Sequence, residues 1–275
     1  MGLMEILSFS FVQRAILAGV LIASVASILG VFLVLRRLSL IGDGLAHITF
    51  GSVAVVLLVG VGSSYVTLAA LPLVMLSSLA ILKLTQTKKI HGDAAIGIIS
   101  SVGIATGIIL ASLSGGYNVD LFSYLFGSIL TVNPTELFLS LIIFIVVLSC
   151  VIFFYHDLFA VTFDEELAQS MGIKTGRINI LLFILTAVVA VLAMKVAGIM
   201  LVSALLILPP LTALQLSVSF RMTIIASVIF SILSVTGGII LSFLLNLPAG
   251  GTIVILNVIF LLIVFGMKKI LPASR

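Results

Sequence analysis

The sequence predicts an all-α polytopic membrane protein of eight or nine transmembrane helices, with one short solvent-side helix and a re-entrant element at the outer face. Three observations predict it. Hydrophobic residues make up 62% of the 275 residues and charged ones only 8%. Mean hydropathy is +1.48. The few charges divide the chain into apolar runs of about 20 residues, the length that crosses a bilayer as a helix. A soluble domain of this size cannot hide so much apolar surface from water, so the lipid bilayer is the solvent.

Composition also removes several classes of function. The net charge of +4 lies between the apolar runs, where basic residues set orientation, and forms no patch for nucleic acid. A single cysteine, Cys150, sits inside an apolar run. It supports neither a disulfide framework nor a thiolate metal site within one chain. Met1 to Ser10 carries only Glu5 and lacks a basic n-region, so no removable signal peptide is expected.

Taken in order, the runs place spans at 15–35, 39–61, 65–82, 94–113, 137–155, 178–195 and 197–217. The uncharged run 222–267 is too long for one crossing and is divided by Asn246-Leu247-Pro248-Ala249-Gly250-Gly251. If Arg36 and Arg37 lie inside, alternation also places Lys83, Lys88, Lys89, Lys174, Arg177, Arg221, Lys268, Lys269 and Arg275 inside. The expected topology has the N-terminus outside and the C-terminus in the cytoplasm. A miscounted span between 178 and 217 would flip one end.

Three segments depart from simple spanning. Residues 118–136, with Tyr124-Leu125-Phe126-Gly127 and Asn133-Pro134, are apolar but too short to cross and return, which suggests a re-entrant element. Pro209-Pro210 removes two backbone donors from the seventh span and is expected to kink or break it. In the solvent-side segment 162–172, Thr162 followed by Glu165 reads as a capping box, and Gly172 reads as the stop. Phe163, Leu167 and Met171 form an apolar stripe on that short helix. The stripe either rests on the protein's own spans or docks a cytoplasmic partner.

Gly42-Asp43-Gly44-Leu45-Ala46-His47 carries the chemistry. A carboxylate and an imidazole four residues apart share one helix face, and at membrane depth they cost several kcal/mol unless compensated. They form either a packing pair or a cation site. One chain supplies only these two ligands at useful spacing, whereas zinc prefers four. Two copies about a twofold axis would supply two carboxylates and two imidazoles. His91 with Asp93, and His156 with Asp157, read as solvated helix ends; Asp120 and Glu136 flank the outer element; Lys195 reads as snorkelling to the headgroups.

The chain resembles the membrane subunits of ATP-binding-cassette importers for zinc and manganese, most closely high-affinity zinc uptake permeases. The resemblance rests on Arg36-Arg37-Leu38-Ser39-Leu40-Ile41-Gly42-Asp43-Gly44-Leu45-Ala46-His47, then Asp120 to Gly127, then Phe163 to Ala168. It continues through Met194 to Pro209 and Thr236-Gly237-Gly238. It implies a homodimeric permease in a prokaryotic plasma membrane, fed by an extracytoplasmic metal-binding protein and driven by a separate cytoplasmic ATPase subunit. It also implies a coupling role for Phe163, Asp164, Glu165, Glu166, Leu167, Met171 and Gly172, with Asp43 and His47 as metal ligands. Tyr124, Phe126, Pro209 and Pro210 are candidate gate or pathway residues. No permanent cofactor is expected, only the transported ion.

This chain has no Gly-x-x-x-x-Gly-Lys-Ser/Thr loop, so ATP must be hydrolysed elsewhere and the chain is not itself an enzyme. Ala46 before His47, with Ile48-Thr49-Phe50-Gly51 after it, is similar to the zinc-type pattern. Manganese-type members usually carry Ser at the first position and Leu-Pro-Gly shortly after the histidine. Zinc is therefore expected, with manganese or iron import the alternative. A proton-coupled metal carrier is the reading from a different class, and an intramembrane hydrolase lacks any His-Glu-x-x-His cluster.

Overall fold

A computed structural model describes residues 9–62, 65–86, 92–113, 132–216 and 219–270. Its elements are α1 (Ser10–Leu35), α2 (Ile41–Leu58), α3 (Val66–Thr85), α4 (Gly92–Leu113), α5 (Pro134–Phe153), α6 (Tyr155–Phe163), α7 (Glu165–Ser170), α8 (Thr175–Ala197), α9 (Ile199–Leu216), α10 (Phe220–Leu245) and α11 (Ala249–Ile270). Eight helices, α1 to α5, α8, α10 and α11, are long and apolar enough to span a membrane. The apolar part of α9, Leu201–Leu216, is shorter. Helices dominate because hydrocarbon cannot satisfy backbone N–H and C=O groups, whereas a helix satisfies them internally. Hydroxyls follow the same rule: Ser24, Thr49, Thr186 and Thr212 each donate to the carbonyl four residues earlier.

Cross-helix contacts define one end of the bundle. Arg36, Glu165 and Asn179 meet there, and Phe32 packs on Phe220 with ring centres 5.4 Å apart. Tyr155 also reaches Phe220 at 5.9 Å. The end of α1, the α6–α7 segment and the starts of α8 and α10 therefore share this end, so α8 and α9 together make one return trip. Along α10, Ser227 donates to the Ser27 carbonyl at 3.3 Å, which runs α10 antiparallel to α1.

The centre is built from α1, α2 and α8, whose residues are mostly buried, while α4, α5 and α11 expose most of their surface. Among apolar helices in lipid, small residues drive packing because they let backbones approach. Gly103 and Gly107 of α4 do this against α2. A Cβ on Gly51 would sit 2.3 Å from the Gly103 carbonyl oxygen, and one on Gly103 would sit 2.7 Å from Ile48 Cα.

Several sequence expectations need correction. Pro134 to Glu136, assigned to the re-entrant element, form the first turn of α5, with Pro134 in the first turn, where a missing N–H costs nothing, and the Asn133 N–H bonding Glu136 Oε2 at 3.1 Å. Residues 118–131 of that element lie outside the described residues, Tyr124 and Phe126 included, as do Lys88 and the side chain of Lys195. Pro209 and Pro210 do not break their helix: α9 runs through both. Their missing donors free the carbonyls of Leu205 and Leu206, and the Leu206 oxygen presses on the backbone at Gly30, 2.1 Å from where a Cβ would stand. The boundary expected between the runs 178–195 and 197–217 falls at Gly198, whose φ of 81° ends α8. Thr162 is not a cap, since it lies within α6 and donates to the Leu158 carbonyl at 2.6 Å.

Gly103→Ala should destabilise the protein by about 1–3 kcal/mol, the usual range for overpacking. Gly97→Ala, where a Cβ meets nothing within 4 Å, should be close to neutral. Thermal unfolding of the two variants in detergent, compared with the parent, checks this contrast.

Candidate metal site and docking face

The glycines on either side of Asp43 set its surroundings. At Gly42 the α9 backbone comes close, with Ser203 Cα 3.3 Å from a notional Cβ, and at Gly44 the side chain of Ile96 fills the equivalent space. α9 and α4 thus close on α2 from two sides and leave Asp43 on an open face. Asp43 Oδ2 lies 3.4 Å from His47 Nε2, and their side chains are 53% and 25% exposed. Ser203 Oγ donates to Asp43 Oδ1 at 3.5 Å, the outer limit for such a bond. A half-exposed carboxylate in a membrane helix cannot face hydrocarbon cheaply, so this open face meets water or another polar surface. Among the described residues no group of three or more His, Cys, Asp or Glu side chains could hold a metal ion. The pair is chemically competent as two ligands and incomplete as a site.

The second feature is the short helix α7. Asp164 is its N-cap, with Oδ1 accepting the Leu167 N–H at 2.9 Å, and Glu165 and Glu166 lie in its first turn, where the helix dipole favours negative charge. Gly172, at φ 88°, closes the turn that follows. Phe163, Leu167 and Met171 are 60%, 57% and 70% exposed, so the apolar stripe faces outward. Phe163 is braced from behind, with ring centres 4.7 Å from Phe159 and 5.8 Å from Phe220.

Glu165 behaves differently from its neighbours. It turns inward, where Oε2 accepts from Arg36 Nη2 at 3.1 Å and Oε1 accepts from Asn179 Nδ2 at 2.7 Å. Arg36 Nη1 donates to Asn179 Oδ1 at 2.7 Å, which closes a three-residue ring. Burial lowers the proton affinity of the Arg36 guanidinium, and the charge and hydrogen bond of Glu165 oppose that shift. The ring lines a cavity of about 650 Å³ that also touches Asp93 and Gln86.

Sequence reading found Asp43, His47 and the α7 residues but missed Ser203 and Asn179. A serine and an asparagine in apolar helices are too common to stand out, and both partnerships span large sequence separations. His91 and Asp120 lie outside the described residues. Pro209 and Pro210 sit within α9, one to two turns beyond Ser203.

The eight long apolar helices define a polytopic membrane protein. Residues 8–268 match the model of the ABC 3 transport family, and the chain belongs to that family. It is 33% identical over 266 residues to the manganese transport system membrane protein MntC of Halalkalibacterium halodurans, covering 96% of this chain and 90% of that one. It is 32% identical to the high-affinity zinc uptake system membrane protein ZnuB of Haemophilus influenzae, over 95% of this chain and all of the relative. The solved structure of PsaBC from Streptococcus pneumoniae in complex with Fab superimposes with a TM-score of 0.85 at 31% identity, covering 98% of both chains.

Asp164→Ala removes the only side-chain cap of α7 and should cost about 1 kcal/mol of local stability. Amide exchange at Leu167 should accelerate roughly fivefold, while exchange in α8 stays unchanged.

Proposed function

We propose that this chain is the permease subunit of an ATP-driven importer that carries a divalent transition-metal ion, zinc, into the cytoplasm. It works as a homodimer, with a cytoplasmic ATPase subunit docked at α7 and an extracytoplasmic metal-binding protein delivering the ion. The N-terminus is outside and the C-terminus, with the Arg36 end of the bundle, is in the cytoplasm. The observation that supports this reading is the Asp43–His47 pair: a carboxylate and an imidazole, side chains of the types that ligate transition metals, on the open face of a membrane helix with Oδ2 and Nε2 3.4 Å apart. Two vertices of a tetrahedral zinc site with bonds of about 2.0–2.2 Å lie about 3.3–3.5 Å apart. A twofold copy supplies the remaining two ligands, and the two carboxylates balance the charge of the ion.

Release follows from the same arrangement. Ligands drawn from two subunits lose their geometry when the subunits shift, so a displacement at the seam lowers affinity without any chemical change in the ligands. The outward stripe Phe163, Leu167 and Met171 supplies the docking face, an apolar patch that would otherwise stay in water. Asp43, in the first turn of α2, and His47, one turn further along, place the ion about one turn from the helix start.

Manganese is the second reading, favoured by the relatives named for manganese transport. Carboxylate and imidazole also suit that ion, and affinity alone does not separate first-row metals. Comparing zinc with manganese for stimulation of ATP hydrolysis and uptake, in vesicles holding the complete transporter and its donor protein, decides between them. Hydrolysis stimulated by neither ion would overturn the proposal, as would uptake that persists without the ATPase subunit and follows the proton gradient.

Asp43→Ala and His47→Ala, expressed at normal levels, should each reduce metal uptake at least a hundredfold, measured as radiolabelled or fluorescent metal accumulation. Near-normal uptake by either variant counts against the site. Leu167→Ser with Met171→Ser should weaken co-purification of the ATPase subunit by tenfold or more and leave the thermal stability of the isolated permease unchanged. A label on Lys88 should react only from the cytoplasmic side.

A further inference from the structure

The ring of Arg36, Glu165 and Asn179 is unusual for its place in the chain. Its three members come from the end of α1, the first turn of α7 and the start of α8, with separations of 129 and 143 residues between Arg36 and its partners. The Arg36 side chain is only 12% exposed, and both its terminal nitrogens are used. Charge-assisted bonds of this kind are the stronger class of hydrogen bond. Glu165, itself half-exposed, therefore reaches inward to a buried partner, whereas Glu166 and Leu167 beside it face outward.

The connection between Arg36 and the Asp43–His47 pair is short and closed by turns at both ends. The Arg37 N–H bonds the Val34 carbonyl at 3.0 Å, and the Leu38 N–H bonds the Leu33 carbonyl at 2.9 Å. This is the pattern of a helix closed by a left-handed residue, here Arg37 at φ 59°. The Ile41 N–H then bonds the Leu38 carbonyl at 3.1 Å, and the Gly44 N–H bonds the Leu40 carbonyl at 3.0 Å. Backbone hydrogen bonds thus close α1 at Arg37 and Leu38 and tie Leu38 to Ile41 at the start of α2, whose first turn carries Asp43. The ring forms one wall of the cavity described above.

We infer that the Arg36–Glu165–Asn179 ring is the link that passes displacement of α7 to α2, with Arg36 as the positioning residue through which ATP hydrolysis reorients Asp43 and His47. The inference rests on the import reading above. It separates two jobs on one short helix. Leu167 and Met171 hold the ATPase subunit, and Glu165 transmits its movement. Breaking the ring leaves docking and hydrolysis in place and disconnects them from the ion.

The test uses the complete transporter in liposomes, with Glu165→Gln, Arg36→Gln, Asn179→Leu and the double variant Arg36→Gln/Glu165→Gln. Three quantities are read: ATPase subunit retained, ATP hydrolysed, and zinc or manganese ions delivered per ATP. Each single variant should retain the ATPase subunit and hydrolyse ATP, while ions delivered per ATP fall at least tenfold. The double variant should be no worse than either single one, because the ring acts as a unit. Should the Arg36 variant fail to accumulate, Glu165→Gln decides, since its side chain is half-exposed on a surface helix. Delivery per ATP within twofold of the parent overturns the inference, and so does loss of the ATPase subunit from Glu165→Gln, which would place Glu165 at the docking face. A parent transporter that shows no metal-dependent hydrolysis overturns the import reading itself, and this inference with it.

Discussion

Hydrocarbon offers no hydrogen-bond partner, and that constraint governs every level of this structure. Backbone groups must be satisfied within helices, so the described residues are almost entirely helical. Hydroxyls turn back to their own carbonyls, as Thr49 and Thr186 do. An ionisable side chain has no such local remedy. Asp43 and His47 keep part of their surface open, which in lipid is tolerable only beside water, a partner subunit or an ion.

Glycine makes the constraint workable around the site. Gly42 and Gly44 bring α9 and α4 to either side of Asp43 without covering it, and Gly30 receives the Leu206 carbonyl that Pro210 leaves without a donor. The proline pair is therefore accommodated by a neighbouring backbone rather than by bending to a break. The same contacts fix Ser203 beside Asp43. At the opposite extreme, α4, α5 and α11 carry little buried surface, as helices facing lipid or another subunit do.

The solvent-side segment shows how two residues of one type diverge. Glu165 and Glu166 are adjacent and both suit a helix N-terminus. Only Glu165 points to Arg36 and Asn179, because α7 starts at Asp164 and not at Thr162. The extended Asp164 between α6 and α7 separates Glu165 from the preceding helix, and Arg36 and Asn179 hold Glu165 while Glu166 stays exposed. The capping rule found the acidic residues of the segment but chose the wrong cap, since Thr162 had a second option inside α6, the Leu158 carbonyl.

Class and span positions were legible in the sequence, because hydropathy and length are local properties and lipid penalises every exception. The Asp43–His47 pairing was legible for a similar reason: four residues is one helical turn, whatever surrounds it. Nothing local could reveal Ser203 or Asn179, or the passage of α9 through Pro209 and Pro210. Those depend on which helices meet, and close contact between helices is set by surfaces assembled from distant parts of the chain. Tertiary structure also decided which faces stay open, and so left Asp43 half-exposed between α9 and α4 rather than covered by them.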